Sequence, residues 1–429
     1  MLKLSFYNII IPSCSNNENV CIYNSKSGAI IKIEKEIYRD FCALNFDLES
    51  SKKHIPQLLR EGILVPTIKD ELQEILFEMK AKQYEKNGTL SLVISPTLQC
   101  NYKCLYCFEH SQLPQTIMGE VVMENIIKFI RAFLNKYPQT HKLYIQWFGG
   151  EPLLAYKNVI LPLSASLIQL AKERNIKYTS GIITNGYLLD ENVLINLVKR
   201  CNISDFQITF DGRKDNYNRM KCPPRDAYEN TKNNILHISE YSDKNPQLNI
   251  NVNIRINTDK TNIEDARFFV EEIQQDPRYK NNFRFYLGRI RGTSNSFDVK
   301  EFEYYENEFN LFIRKKSNFV KSKRIWCNQF TFNSFCIGPS GELYKCEHDF
   351  GNLDRVIGDI ENGLYYNEYL NKYMDQTIAD CCKQCKIFPI CLGGCPNYKF
   401  HSQVNHSCEF TLDNVIRGAE EYIHHQKTN

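Results

Sequence analysis

Between residues 90 and 287, six short apolar runs alternate with longer amphipathic stretches, and this rhythm constrains the fold more than any other feature of the chain. The runs cover 90–95, 142–148, 177–184, 204–210, 249–256 and 283–287. The stretches at 120–137, 157–174, 190–200, 228–241 and 263–275 are long enough for helices. Such alternation predicts parallel strands joined by right-handed crossovers. Six units predict an α/β fold, a partial (β/α)6 TIM barrel rather than the closed eightfold form. Chemistry then belongs on the loops at the carboxyl ends of the strands.

The flanks read differently. Residues 1–68 mix strand-like runs with a helical stretch and predict a small α+β domain, followed by a linker helix over 69–88. The barrel spans 89–300 and a bridging helix 301–324. Residues 325–429 have little helical or strand period, carry nine cysteines between Cys327 and Cys408, and predict a loop-rich domain held by metal, closed by a surface helix near 412–424.

A net charge of +3 over 429 residues gives no electrostatic case for nucleic acid or an anionic membrane. The first residues lack a secretory pattern and no run of about 18 apolar residues is evident, which predicts a cytoplasmic protein without a membrane partner. Seventeen cysteines in such a chain read as metal ligands or reactive thiols rather than disulfides.

Cys100, Cys104 and Cys107 follow the first barrel run directly, where the architecture puts an active site. Four-iron clusters take four thiolates, so a compact set of three leaves one iron open to a small molecule. Zinc also accepts three cysteines. The second run ends in Gly149-Gly150-Glu151-Pro152. Paired glycines permit close backbone approach to a ligand and Glu151 offers a carboxylate to an ammonium, although the same four residues also make a plain turn. Thr184-Asn185-Gly186 ends the third run and Asp211-Gly212 the fourth; both are ordinary turn signals too. In the fifth run, alternation puts Arg255 and Asn257 on one face, plausibly the barrel interior.

The CxxxCxxC spacing with an aromatic at Tyr106 resembles the signature of the radical S-adenosylmethionine (SAM) superfamily. That resemblance implies a [4Fe-4S] cluster on Cys100, Cys104 and Cys107 whose open iron is chelated by SAM. It also implies reductive cleavage to a 5′-deoxyadenosyl radical, fed by an external low-potential electron donor. Gly149, Gly150, Glu151 and Pro152 resemble the family's segment for the cosubstrate's amino group. Thr184, Asn185 and Asp211 fall at positions the resemblance implies face cosubstrate or substrate, beside Tyr106 of the signature; Arg255, on the face it shares with Asn257, holds a carboxylate there or is an outward surface arginine.

The C-terminal spacing, Cys327 to Gly341 and Cys346, then Cys382-x2-Cys385-x5-Cys391-x3-Cys395 and Cys408, resembles the SPASM domain. By that resemblance Cys327, Cys346 and Cys395 would hold one auxiliary [4Fe-4S] cluster, and Cys382, Cys385, Cys391 and Cys408 a second. Seven thiolates are one short of eight. Cys336 supplies the last one, or the first auxiliary cluster keeps an open iron, or Cys336 is simply a small buried hydrophobe. Cys381 lies outside the spacing, and Cys14, Cys21, Cys42, Cys201 and Cys222 read mostly as core residues. The N-terminal domain is similar in composition to a winged-helix module whose strand edge captures a leader peptide.

The expectation is a radical SAM/SPASM maturase that crosslinks a ribosomally made peptide. An anaerobic sulfatase maturase is the alternative within the family, and a non-catalytic zinc scaffold the alternative outside it.

Overall fold

The computed structural model describes residues 1–46, 49–84, 88–108, 116–313, 327–375, 377–402, 404, 406–408 and 411–427. Residues 85–87 of the expected linker helix and 314–324 of the expected bridging helix lie outside these. The chain forms two compact units, one of Met1–Tyr84, Val299–Cys327 and Gln376–Asn429, the other of Glu85–Asp298 and Asn328–Asp375.

In the second unit all six expected strands form: Thr89–Ile94, Lys142–Trp147, Lys177–Thr184, Ile203–Thr209, Asn251–Thr258 and Phe283–Arg289. They lie side by side in chain order and pair in parallel, with Ile94 opposite Trp147, Phe206 opposite Val252 and Ile254 opposite Phe285. This is the partial barrel. Period-2 burial builds its core: Leu90, Leu92 and Ile94 alternate inward, as do Leu143, Ile145 and Trp147, all fully buried. The crossover helix Glu120–Lys136 packs Ile126, Ile130, Phe133 and Leu134 inward, the spacing of one helical face.

The expected helix at 157–174 divides into one π-helical turn, Tyr156–Ile160, and an α-helix, Leu161–Glu173. Pro162, at the start of the α-helix, lacks the N–H that a continuous α-helical ladder needs, which favours a break at that point. By length and composition the stretch Pro152–Glu173 passes for a membrane span, although Lys157, Asn158, Gln169 and Lys172 interrupt any continuous apolar run. Half of it is buried, however, and Leu163, Leu167 and Leu170 are core residues of the unit.

A seventh strand, Ser334–Ile337, pairs in parallel with the free edge of the first barrel strand and turns back through Gly341 into Glu342–Tyr344. Gly341 has φ +95°, and a Cβ there would press on Ile360, so the turn requires glycine. The segment expected as one C-terminal domain is therefore divided. Residues 328–375 extend the barrel sheet, because edge pairing satisfies the backbone of the first strand.

In the first unit a three-stranded antiparallel sheet, Asn8–Ile10, Asn19–Asn24 and Ile30–Glu34, is buried on both faces. Val20 and Ile22 face Ile37, Phe41 and Leu58 of the N-terminal helices, while Cys21 and Tyr23 face Ile387, Val415 and Ala419. The last helix, Leu412–Lys427, thus buries one face instead of lying on the surface. Of the cysteines read as core, Cys21 and Cys201 are buried and Cys14 is half-buried, but Cys42 and Cys222 are exposed.

Candidate active site

The barrel brings the motifs together at the carboxyl ends of its strands. The loop of Cys100, Cys104 and Cys107 leaves the first strand and is laced to the second: Phe148 N–H donates to Ile94 O at 3.1 Å, Gly150 N–H to Thr97 O at 3.2 Å and Glu151 N–H to Gln99 O at 2.8 Å. A Cβ on Gly149 would come within 2.6 Å of Thr97 O, and one on Gly150 within 2.3 Å of Gln99 O. The nearest backbone that the glycines admit is therefore the approach to the cysteine loop, which refines the sequence reading of them as ligand-facing.

Glu151 is fully buried. Its Oε1 accepts Leu153 N–H at 3.0 Å and Thr184 Oγ1–H at 2.8 Å, and its Oε2 accepts Asn185 N–H at 2.8 Å. Burial raises its carboxyl above the usual range, opposed by these hydrogen bonds. Three donors leave the carboxylate little further accepting capacity, so it ties the ends of the second and third strands. Asn185 Nδ2 donates to Asn101 Oδ1 at 2.7 Å, which reaches the cysteine loop, while Asn101 Nδ2 is buried and unpartnered. An orphaned donor beside the triplet is what a polar ligand would satisfy.

Tyr106 makes the opposite tie. Its hydroxyl donates to Asp211 Oδ2 and accepts Asn257 Nδ2 at 3.1 Å; Asp211 Oδ1 accepts Asn257 N–H at 2.9 Å, and Arg255 Nε donates to Asn257 Oδ1 at 2.8 Å. Burial and then Asp211 hold the Tyr106 phenol well above its ordinary value, so it stays a donor. Arg255 and Asn257 do share a face, as alternation predicts. Pro152 opens a short 3₁₀ turn and is buried.

Sequence reasoning missed Lys221, Thr209, Tyr102 and Tyr217. Lys221 is 1% exposed, and its Nζ donates to Thr209 Oγ1 at 2.8 Å; Tyr102 and Tyr217 join their hydroxyls at 2.7 Å. A lysine in the polar stretch 214–221 reads as solvated, so no sequence signal marked it.

The Cys100 thiol is pushed up to about 12, by the protein packed around it and then by Glu151, although its outer surface is exposed. Cys104 is also raised by burial, with Lys221 opposing. Unliganded, these thiols hold their protons, and metal binding must displace them. Among the described residues no three His, Cys, Asp or Glu side chains sit close enough to share one metal ion.

A profile of the Radical SAM superfamily matches residues 94–269, from the end of the first strand to the helix after the fifth. Residues 94–269 are a radical SAM domain. S-adenosylmethionine and [4Fe-4S] clusters are the chain's cofactors. The chain is 25% identical over 355 residues to the cysteine-type anaerobic sulfatase-maturating enzyme of Clostridium perfringens strain 13, covering 71% of this chain and 88% of that protein. It is also 25% identical over 280 residues to an S-adenosylmethionine-dependent nucleotide dehydratase of Psychrobacter lutiphocae, covering 63% and 83%. The solved structure of anSMEcpe with bound AdoMet and Cp18Cys peptide superposes with a TM-score of 0.55 at 19% identity, over 79% of this chain and 97% of that one. Streptococcus suis SuiB bound to precursor peptide SuiA superposes at 0.51 and 14%, over 96% and 99%. The chain shares its fold with these two solved structures.

The C-terminal thiols of the first unit also gather. Cys382 is pushed up to about 12, by burial first and then by the neighbouring thiols Cys381, Cys391 and Cys408. Cys391 rises to about 11, by burial and then by Cys385 and Cys408. Gly394 explains the closeness: with φ +81°, its Cβ would fall 1.7 Å from Ser407 O, so only glycine lets the 391–395 turn cross the chain just before Cys408. Cys327 and Cys395 fold with the first unit and Cys346 with the second. Cys336 is fully buried on the same strand face as Tyr344, packs with Leu98 and Phe350, and lies in electrostatic range of Cys346.

Proposed function

We propose that this radical SAM enzyme is a cytoplasmic peptide maturase that removes hydrogen from a ribosomally synthesised precursor and leaves a crosslink, thioether or carbon–carbon. The observation that carries this reading is coverage. The likeness to peptide-bound SuiB runs over 96% of the chain, whereas that to anSMEcpe runs over 79%. The longer match takes in the N-terminal segment, whose strand Ile30–Glu34 is an open sheet edge of the kind that captures extended peptides.

In this reading Cys100, Cys104 and Cys107 hold the cosubstrate cluster. Cys382, Cys385, Cys391 and Cys408, all of the first unit, hold one auxiliary cluster. Bound SAM and its cluster supply a 5′-deoxyadenosyl radical that takes one hydrogen atom from a C–H bond. Glu151 and Asn185 fix the floor of the cysteine loop through their hydrogen bonds. Asp211, Tyr106 and Asn257 close its other side. Arg255, the basic end of that chain, would hold a carboxylate of cosubstrate or peptide. An external low-potential donor supplies electrons.

The second reading is a sulfatase maturase, favoured by the sequence relatives at 25% identity. Anaerobic co-expression with candidate precursor peptides, read by mass spectrometry, tests both. A crosslinked product lacking two hydrogens supports the maturase of ribosomal peptides. An aldehyde formed in a sulfatase-type cysteine peptide, with no change in precursors, supports the other.

A further inference from the structure

Lys221 is a buried cation at the base of the cysteine loop. It ends the helix Lys214–Lys221, and its Nζ, besides donating to Thr209 Oγ1 at 2.8 Å, stands 3.7 Å from Asp211 Oδ2. It lies 5.8 Å from the ring centroids of both Tyr102 and Tyr217. The same helix end grips the loop: Lys221 O accepts Lys103 N–H at 3.2 Å, and Met220 O accepts Leu105 N–H at 2.9 Å. Nζ is thus held by a hydroxyl and two aromatic faces beneath the backbone that joins Cys100 to Cys107.

Its pairing with Asp211 is incomplete. A charge-assisted contact closes at about 2.8 Å, and Asp211 already takes Tyr106 and the Asn257 N–H. A lysine so buried is costly unless its charge is used. Among the groups within its electrostatic reach are Asp211, Glu151 and the Cys104 thiol, each anionic when ionised.

We propose that Lys221 is a positioning residue whose fixed charge sets the redox balance of the cluster on Cys100, Cys104 and Cys107. The inference rests on reading that triplet as cluster ligands. One-electron reduction adds a negative charge to the cluster, and a cation held nearby in a low dielectric stabilises the reduced form. Removing the cation without opening the loop therefore disfavours reduction. Arginine keeps the charge.

The test is an anaerobic redox titration of the full-length, iron-loaded protein followed by electron paramagnetic resonance, reading the signal that changes when SAM is added. Lys221→Met is expected to retain its iron and be reduced at least tenfold less readily at a fixed potential, a midpoint about 59 mV lower for one electron. Lys221→Arg is expected to keep the native midpoint. An unmoved midpoint in Lys221→Met overturns the proposal, even if its melting temperature falls. Should that variant not fold, Lys221→Gln decides by the same criterion. Failure of both neutral variants beside a normal Lys221→Arg makes the role structural and also overturns it. A native protein with no SAM-sensitive cluster would refute the triplet reading instead.

Discussion

The two places where cysteines converge are built in contrasting ways. The triplet of the second unit hangs from a parallel sheet: backbone hydrogen bonds from Phe148, Gly150 and Glu151 hold its approach, and the side chains of Glu151, Asn185, Tyr106 and Asp211 tie it to the third, fourth and fifth strand ends. The thiols at 382–408 of the first unit lie on or between short helices: Cys382 on Asp380–Lys383, Cys391 at the end of Phe388–Cys391, Cys385 between these two, Cys395 after the Gly393-Gly394 turn and just before Pro396–Ser402, and Cys408 beyond it. Around them is a small apolar cluster of Tyr7, Ile75, Ala379, Phe388 and Leu392. The difference leads to the expectation that the triplet's loop keeps its shape without metal, whereas the segment 380–408 depends more on bound metal for its order.

Substitution of the triplet gives the largest expected contrast. Cys104→Ala should abolish SAM cleavage, a loss of at least a thousandfold in 5′-deoxyadenosine release, while circular dichroism and melting stay near native, because the sheet carries the loop. Unfolding of that variant would break the comparison. Next in size, chelating the iron should raise hydrogen exchange over 380–408 by tenfold or more and leave 89–94 and 142–147 protected; uniform deprotection would show that both regions depend on metal equally.

Gly394→Ala sharpens the second half of the contrast. Strain at φ +81° and the clash with Ser407 should cost about 3 kcal/mol or more, read as a lower melting temperature and loss of auxiliary iron with the triplet's SAM-sensitive signal intact. Asp349→Asn is the mildest. Asp349 is fully buried and takes Arg355 Nη1 at 2.8 Å and the hydroxyls of Tyr369 and Tyr373 at 3.0 Å each. Losing its charge should cost about 1–3 kcal/mol in thermal unfolding without changing cluster content.

Much of this was legible in the sequence, and for physical reasons. Period-2 burial at Leu90, Leu92 and Ile94 and the helical face of Ile126, Ile130 and Phe133 are local patterns, so the six strands and their crossovers follow from them. The cysteine spacings are likewise local. Edge pairing is not: nothing in Ser334-Phe335-Cys336-Ile337 says that its partner is the first barrel strand some 240 residues earlier, and the division of 325–429 between units hangs on that pairing. Nor does a polar helix reveal which lysine turns inward, so Lys221 emerged only from the fold. Glu151 was singled out for an ammonium, and the fold shows its oxygens occupied by Thr184, Asn185 and Leu153.

The central claim is that Cys100, Cys104 and Cys107 carry the cluster that cleaves SAM. Anaerobically purified protein, reduced with dithionite and given SAM, tests it most directly through the resonance signal of its iron and the 5′-deoxyadenosine released. The account predicts a brown protein whose signal shifts on adding SAM and which releases 5′-deoxyadenosine, both lost together in Cys104→Ala. A colourless protein that binds zinc and releases none, or a shift that persists in Cys104→Ala, would contradict it.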